Sequence, residues 1–244
     1  MHRVGDTQHV ETSFGDGFAV VTLNRPAKRN ALSFEMRRGI AAELAALAAN
    51  DDVACVVLTG APPDFCAGMD VTRFGGDAAN RQEIVESSTA LFDALGKFPK
   101  PLLAAIEGRA FGGGLGLVLA CDVRIAGRTA AFAVPEVRFG AAGGFAGLRA
   151  ALGDGPAREL ALTGRTFDAE EAHRLGMLAE VVDPGAALSR ARELAAQLVA
   201  LPRRGLQLQT EIIRATAGRP AADALAYEAE VFRREVLGPR KHDV

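Results

Sequence analysis

The sequence lacks most of the features that mark a metal-binding, nucleic-acid-binding or membrane protein. It has three cysteines with no CxxC pair and four dispersed histidines, so we expect neither a disulfide framework nor a metal site. A net charge of −2 argues against a nucleic-acid partner. No apolar run approaches the ~18 residues that a membrane span needs, and the first residues do not resemble a signal peptide. We therefore expect a soluble cytoplasmic protein with no membrane partner.

Three common nucleotide and hydrolase motifs are also missing. There is no P-loop of the GxxxxGKS or GxxxxGKT type, and no GxSxG elbow of a serine hydrolase. The glycines from Gly112 to Gly116 do not form the GxGxxG fingerprint of a dinucleotide loop, because Leu117 stands where the last glycine is required. These absences argue against the corresponding enzyme classes.

The most informative segment that is present runs from Leu102 to Leu117 and reads LLAAIEGRAFGGGLGL. It predicts a buried strand, a turn of three glycines and an apolar helix. Unpaired N–H groups at a helix start, together with the helix dipole, favour negative charge on a bound oxygen. A similar turn, DFCAGMD, spans Asp64 to Asp70. Two such turns suggest an oxyanion hole, although glycines that serve helix–strand packing alone would give the same pattern.

Hydrophobic periodicity predicts a mixed α/β core that is followed by a helical tail. The predicted strands include 9–14, 18–24, 53–58, 102–106, 123–126 and 131–134, and the predicted helices include 33–49, 80–97, 149–163, 168–175, 186–200, 206–216 and 221–236. Ser33 is the expected N-cap of the first helix. The apolar faces of the alanine-rich C-terminal helices favour oligomerisation.

Several polar residues are candidates for chemistry, and each has a plainer alternative. Glu136 lies in the apolar segment AAFAVPEV, where poor solvation would suit it to transfer protons. It could equally be a surface glutamate at a strand end. For Asp122 we favour a capping or ion-pair role. The basic turn with Arg25, Lys28 and Arg29 could hold a phosphate or form a solvated charge cluster.

Taken together, five segments resemble the crotonase superfamily, also called the enoyl-CoA hydratase/isomerase family. The segments are NRPAKRNAL, VVLTG followed by DFCAGMD, AAIEGRAFGGGLGLVLACD, FAVPEV and ALTGRTFDAEEAHRLGMLAEVV. The resemblance implies a spiral of ββα units in an α/β core over residues 1–190, with the acyl-CoA site. It also implies a helical oligomerisation region over residues 191–244, a homotrimer or homohexamer, and no cofactor, because CoA is part of the substrate.

The resemblance also assigns roles to individual residues. The backbone N–H groups of Met69 and Gly113 would hold the thioester oxygen as it becomes an enolate, and Gly114 would begin the helix whose dipole supports it. Glu136 would be the catalytic carboxylate. Further residues would contact the acyl-CoA substrate: Ala67, Asp70, Val71, Thr72 and, at the CoA phosphates, Arg29.

The departures from the family pattern bear on the reaction. Hydratases of the family use two glutamates, and the first of these falls on Gly116 here. The arrangement with Glu136 alone resembles Δ3,Δ2-enoyl-CoA isomerases. Gly144 stands where some other branches carry an aspartate, and the loop from Gly140 to Leu148 is shorter than usual. We therefore favour isomerisation, and keep open a hydratase, a thioester hydrolase and an acyl-CoA-binding protein with little catalysis.

Overall fold

The computed structural model describes residues 4–7, 9–70, 72 and 77–237 of the chain. These residues form a seven-stranded sheet, a smaller sheet of three short strands, and helices that pack around both. The strands are β1 (Val4–Thr7), β2 (Val10–Phe14), β3 (Phe18–Leu23), β4 (Cys55–Gly60), β5 (Leu102–Ile106), β6 (Arg109–Phe111), β7 (Val123–Gly127), β8 (Ala131–Ala133), β9 (Phe167–Asp168) and β10 (Glu180–Val182). The helices are α1 (Phe34–Ala49), α2 (Ala78–Gly96), α3 (Gly113–Ala120), α4 (Phe145–Leu152), α5 (Asp154–Thr163), α6 (Ala169–Arg174), α7 (Ala187–Val199), α8 (Arg203–Thr216) and α9 (Ala221–Leu237).

The large sheet has the strand order β1-β2-β3-β4-β5-β7-β10, and the small one β6-β8-β9. The β1, β2 and β3 strands are antiparallel, whereas β3, β4, β5, β7 and β10 are parallel. Two strands followed by a helix recur as β2-β3-α1 and β5-β6-α3. The predicted mixed α/β core with strand–strand–helix units is confirmed.

The central strands β4 and β5 are buried because both faces of the sheet are covered. Alternate side chains of a strand point to opposite faces. Val56 and Leu102 therefore join the main core beneath α1 and α2, whereas Val57 and Leu103 pack against α7 on the other face. Burial on both faces accounts for the continuous apolar runs of these two strands.

The structure departs from the sequence predictions where the chain turns within a few residues. The predicted helix over 149–163 is two helices, because Gly153 adopts φ 76° and ψ 175° between α4 and α5. The short strands β1, β6, β9 and β10 are not predicted. Ser33 caps α1 as predicted, with its side chain accepting a hydrogen bond of 3.2 Å from the Met36 N–H.

The C-terminal helices differ in how they are attached to the core. The α7 helix packs on the sheet through Ala187, Ala191 and Ala195, so the predicted boundary between residues 190 and 191 falls inside it. The α8 helix is tied to the core by Arg214, whose Nη2 donates to Asp122 Oδ2 at 2.8 Å. This contact confirms the ion-pair role of Asp122. The division into a core and an oligomerisation region, and the trimer or hexamer, stay predictions.

The three cysteines are free thiols that lie in the buried part of the fold. Burial raises the pKa of Cys55 to about 11 and that of Cys66 to about 12. Within the described residues, no helix is long and apolar enough to cross a membrane. Over the same residues, no three His, Cys, Asp or Glu side chains are grouped as metal ligands.

Candidate active site

A short β-bridge between Cys66 and Ala110 holds the two predicted oxyanion turns side by side. The Cys66 N–H donates to the Arg109 carbonyl at 2.9 Å, and the Phe111 N–H donates to the Cys66 carbonyl at 3.0 Å. Met69 and Gly113 each follow a bridged residue by three positions. The bridge therefore brings these two residues together, and a Cβ on Gly113 would lie 3.2 Å from the Met69 sulfur.

The Met69 amide is oriented by the hydrogen bonds that Leu32 makes with the two residues on either side of Met69. The Leu32 N–H donates to the Gly68 carbonyl at 2.8 Å, and the Leu32 carbonyl accepts from the Asp70 N–H at 3.2 Å. Because Leu32 bonds to both neighbours of Met69, the N–H of Met69 itself points to the other side. Among the described residues, neither this N–H nor that of Gly113 donates to a backbone carbonyl. Neither amide is used in the backbone hydrogen bonding of these residues, so both are candidate donors to a ligand oxygen.

The glycines between β6 and α3 allow the second turn to approach the first. Gly112 adopts φ 50° and ψ −119°, a conformation that side chains disfavour, and its N–H donates to the Ala133 carbonyl at 2.9 Å. A Cβ on Gly114 would lie only 2.3 Å from the Cys66 carbonyl oxygen, so a larger residue would push the turns apart. The α3 helix begins at Gly113, one residue before the predicted start at Gly114. The Gly113 N–H therefore lies in its first turn, at the positive end of the helix dipole.

Glu136 lies beside this glycine turn, on a short 3-10 helix, Pro135–Phe139, that follows β8. Its Oε1 would be 2.7 Å from a Cβ on Gly112. Its Oε2 is buried and has no hydrogen-bond partner within the described residues. Because buried polar atoms are normally paired, an unpartnered carboxylate oxygen is a candidate for contact with a substrate. Glu136 is thus no ordinary solvated surface glutamate.

A cavity of about 300 Å³ extends from Glu136 between the short helix and α5. Its lining is mostly apolar and includes Val134, Phe145 and Leu162. The guanidinium of Arg158 also lines it and lies 5.9 Å from the Phe145 ring centroid. The segment from residue 140 to residue 146 is exposed beside this cavity.

Asp70 holds the end of the first turn through two partners. Its Oδ2 accepts from the Arg25 guanidinium at 2.6 Å, and its Oδ1 accepts from the Thr72 hydroxyl at 2.6 Å. Burial acts to raise the pKa of Asp70, but hydrogen bonds from Thr72 and Arg25 outweigh it and lower this pKa to about 2. Asp70 is therefore a charged anchor of the turn, and Arg25 is paired with it.

The remaining predicted substrate residues lie around the same turn. Ala67 donates its N–H to the Arg29 carbonyl at 2.9 Å, and the Arg29 side chain is exposed. Thr72 is also exposed, whereas Val71 lies outside the described residues. The structure thus brings Arg29, Ala67 and Asp70 to the turn that carries Met69.

Two residues that the sequence did not single out also belong to this region. Arg37 is buried in α1 and donates from Nε to the Leu32 carbonyl at 3.2 Å, so it helps to fix the strand partner of Met69. Phe92 in α2 has its ring tip 2.9 Å from the position of a Cβ on Gly116. No local motif marks either residue, because tertiary packing alone brings α1 and α2 to the turns.

Comparisons with known proteins identify the family of the chain. The family model described as enoyl-CoA hydratase/isomerase matches residues 13–237. YngF of Bacillus subtilis is 39% identical over 190 residues, which cover 75% of this chain and 72% of YngF. The short-chain-enoyl-CoA hydratase of Clostridium acetobutylicum is 32% identical, with 88% of this chain and 84% of the relative covered.

Solved structures give the same result for the fold. DspI of Pseudomonas aeruginosa superposes with a TM-score of 0.90 at 33% identity, over 97% of this chain and 98% of DspI. An enoyl-CoA hydratase of Bacillus anthracis superposes with a TM-score of 0.89 at 28% identity, over 94% and 92% of the two chains. The chain therefore belongs to the enoyl-CoA hydratase/isomerase family, whose enzymes act on acyl-CoA thioesters.

Proposed function

We propose that this enzyme isomerises 3-enoyl-CoA to 2-enoyl-CoA, with Glu136 as its single proton-transferring group. The observation that carries the proposal is the pairing of two candidate donor amides with one unpartnered carboxylate. Glu136 is the carboxylate beside Gly112, whereas Gly116 supplies no side chain and faces the Phe92 ring. A site with one such carboxylate can move a proton between two carbons of one substrate without activating a water molecule.

In the proposed reaction the thioester oxygen accepts hydrogen bonds from the Met69 and Gly113 amides. Glu136 removes a proton from C2, and the electron pair of that C–H bond moves onto the thioester oxygen to give a dienolate. The amides and the α3 dipole stabilise this charge where it develops. Glu136 then returns the same proton to C4 while the C2–C3 double bond forms and the C3–C4 double bond is lost. Atoms and charge balance, and no further reactant is needed.

A second candidate is hydration of 2-enoyl-CoA, which the names of the Clostridium and Bacillus anthracis relatives favour. In that reaction Glu136 alone would have to orient a water molecule, deprotonate it for attack on C3 and supply a proton to C2. An acyl-CoA-binding protein with little catalysis is a third possibility, motivated by the lack of a side chain at Gly116.

The test is to incubate the protein with a 3-enoyl-CoA and, separately, with a 2-enoyl-CoA, and to separate the products by chromatography. We expect the 3-enoyl substrate to give 2-enoyl-CoA with little 3-hydroxyacyl-CoA. Rapid formation of 3-hydroxyacyl-CoA from the 2-enoyl substrate would favour the hydratase. Tight binding of both substrates without turnover would favour the binding protein.

A further inference from the structure

The Phe92 side chain packs against α3 at Gly116, one helical turn after Gly113. Gly113 and Gly116 are three residues apart, so their missing side chains would project from the same side of the helix. A Cβ on Gly113 would meet Leu32 and Met69, and a Cβ on Gly116 would meet the Phe92 ring at 2.9 and 3.0 Å. The Phe92 ring therefore packs on the same side of α3 as Leu32 and Met69, about one helical turn further along the helix.

The position of the Phe92 ring limits the space for a side chain at residue 116. A Cβ at residue 116 would lie 2.9 and 3.0 Å from the tip of the Phe92 ring, so the ring would have to shift to admit any side chain there. Phe92 is 38% exposed, so its ring borders open space beside α3. An aromatic ring of this kind has no hydrogen-bonding group, and an ordered water molecule needs two to four polar partners.

We propose that Phe92, seated against Gly116, is a specificity-determining residue that confines the enzyme to proton transfer by Glu136. The ring takes the space that a second acid–base group would occupy, and it offers no partner to a water molecule on that side of the acyl group. The 2-enoyl product then leaves before it is hydrated. This inference rests on the proposed isomerase function and names the residue that sets the outcome of the reaction.

The experiment compares four proteins: the wild type, Gly116→Glu, Phe92→Ala and the double variant. Each is supplied with 2-enoyl-CoA and the rate of 3-hydroxyacyl-CoA formation is measured, with isomerisation of 3-enoyl-CoA measured in parallel. We expect Gly116→Glu alone to hydrate no more than about twice as fast as the wild type. The double variant should hydrate at least ~10-fold faster, since a positioned acid–base group contributes ~10²–10⁴-fold. Phe92→Leu combined with Gly116→Glu is the matched control that keeps an apolar side chain and should gain less.

Two results would overturn the assignment of Phe92. Hydration by Gly116→Glu alone at the rate of the double variant would mean that the ring is not in the way. A double variant that is folded but hydrates no faster than Phe92→Ala would mean that the space beside Gly116 does not reach the acyl group. Wild-type protein that hydrates efficiently would instead refute the proposed isomerase function, whatever Phe92 does.

If the double variant does not fold, smaller substitutions test the same interaction between residues 92 and 116. Gly116→Ala is made in the wild type and in Phe92→Ala, and kcat/KM for isomerisation is measured in all four proteins. We expect Gly116→Ala to reduce kcat/KM several-fold when Phe92 is present and to have little effect when residue 92 is alanine. Equal effects in both backgrounds would show that the two positions do not interact, and would also overturn the proposal.

Discussion

The two sides of the candidate site are built in opposite ways. On the amide side, backbone hydrogen bonds fix the Met69 turn to Leu32 and to Arg109, and the Arg25–Asp70 ion pair holds its end. On the carboxylate side, Glu136 lies on a short 3-10 helix, has a buried oxygen without a partner among the described residues, and borders a cavity.

The difference follows from what each side has to do in the proposed reaction. Charge stabilisation by dipoles is effective only when the dipoles are already oriented, so the amides must be held rigidly before the substrate arrives. A group that removes and returns a proton has to contact the substrate, so its partner is absent until the substrate binds. Substitutions on the amide side should therefore affect both stability and activity, whereas those at Glu136 should affect activity alone.

The largest expected effect is that of Glu136→Gln, which isolates the carboxylate side. We expect kcat for isomerisation to fall by ~10²–10⁴-fold because the proton acceptor is removed. The melting temperature should not fall, because Oε2 of Glu136 has no hydrogen-bond partner among the described residues that the substitution could remove. Steady-state kinetics, thermal unfolding and the affinity for an acyl-CoA are measured together, with the exposed Glu170→Gln as the control. Unchanged kcat would refute the role of Glu136.

Gly114→Ala, on the amide side, should reduce both stability and activity. The new Cβ would lie 2.3 Å from the Cys66 carbonyl oxygen, so the two turns must separate. We expect a loss of ~1–3 kcal/mol in the free energy of unfolding, as in other overpacked sites, and a loss of ~10²–10³-fold in kcat, as for a removed oxyanion donor.

The matched control for this change is Gly155→Ala in α5, where no atom lies within 4 Å of the new Cβ. It should leave kcat unchanged and stabilise the helix by ~0.5–1 kcal/mol. A Gly114→Ala protein that loses stability but keeps full activity would contradict the dependence of the oxyanion hole on the spacing of the turns.

The sequence predicts the elements of both sides better than it predicts their contacts. The bounds of β5, Leu102–Ile106, follow from an apolar run between Pro101 and the polar Glu107. The strands β6, β9 and β10 have two or three residues each, too few to show a period. The break at Gly153 is missed because the apolar pattern continues across it.

The candidate site itself could be predicted only in part. The resemblance to the family predicts Glu136, Met69 and Gly113, and the structure places Met69 against Gly113 and Glu136 beside Gly112. The contact of Phe92 with Gly116 joins residues 24 positions apart in different helices, and no spacing in the sequence encodes it. The Arg25–Asp70 ion pair is missed for the same reason, although both residues lie in segments that the motifs mark.

The pH dependence of the stability of Asp70→Asn tests the ion pair on the amide side. The pKa of this carboxyl is lowered from 3.8 to about 2, so the ionised group stabilises the fold fully when the pH is above about 4. That contribution, about 2 kcal/mol, is lost as the pH falls from about 4 to about 2. We therefore expect Asp70→Asn to be less stable than the wild type at pH 7 and to approach it as the pH falls.

Denaturant unfolding between pH 7 and pH 2 measures this difference for both proteins. The exposed Asp154, which pairs with Arg149, provides the control substitution Asp154→Asn. A difference between wild type and Asp70→Asn that stays constant with pH would show that the charge of Asp70 does not stabilise the turn.

The smallest expected effect is that of Arg214→Ala, which releases α8 from the core. The lost ion pair with Asp122 is partly buried, so we expect a decrease of about 1 kcal/mol in the free energy of unfolding. Asp122 follows the C-terminal end of α3, the end opposite to the Gly113 amide, and kcat should change by less than about twofold. Thermal unfolding and steady-state kinetics test both statements, and a large loss of kcat would link the C-terminal helices to the site.

Because of the Cys66–Ala110 bridge, a functional sequence has to preserve the number of residues between each bridged residue and the proposed donor that follows it. Both proposed donors are counted from it, three residues on to Met69 and three on to Gly113. Replacing Ala67 changes a side chain and leaves that count intact. Deleting one residue there would shift the following amides by about 3.3 Å and turn each to the opposite side. Chains that share this chemistry are therefore expected to vary in residue type between bridge and donor, and to keep the number of residues.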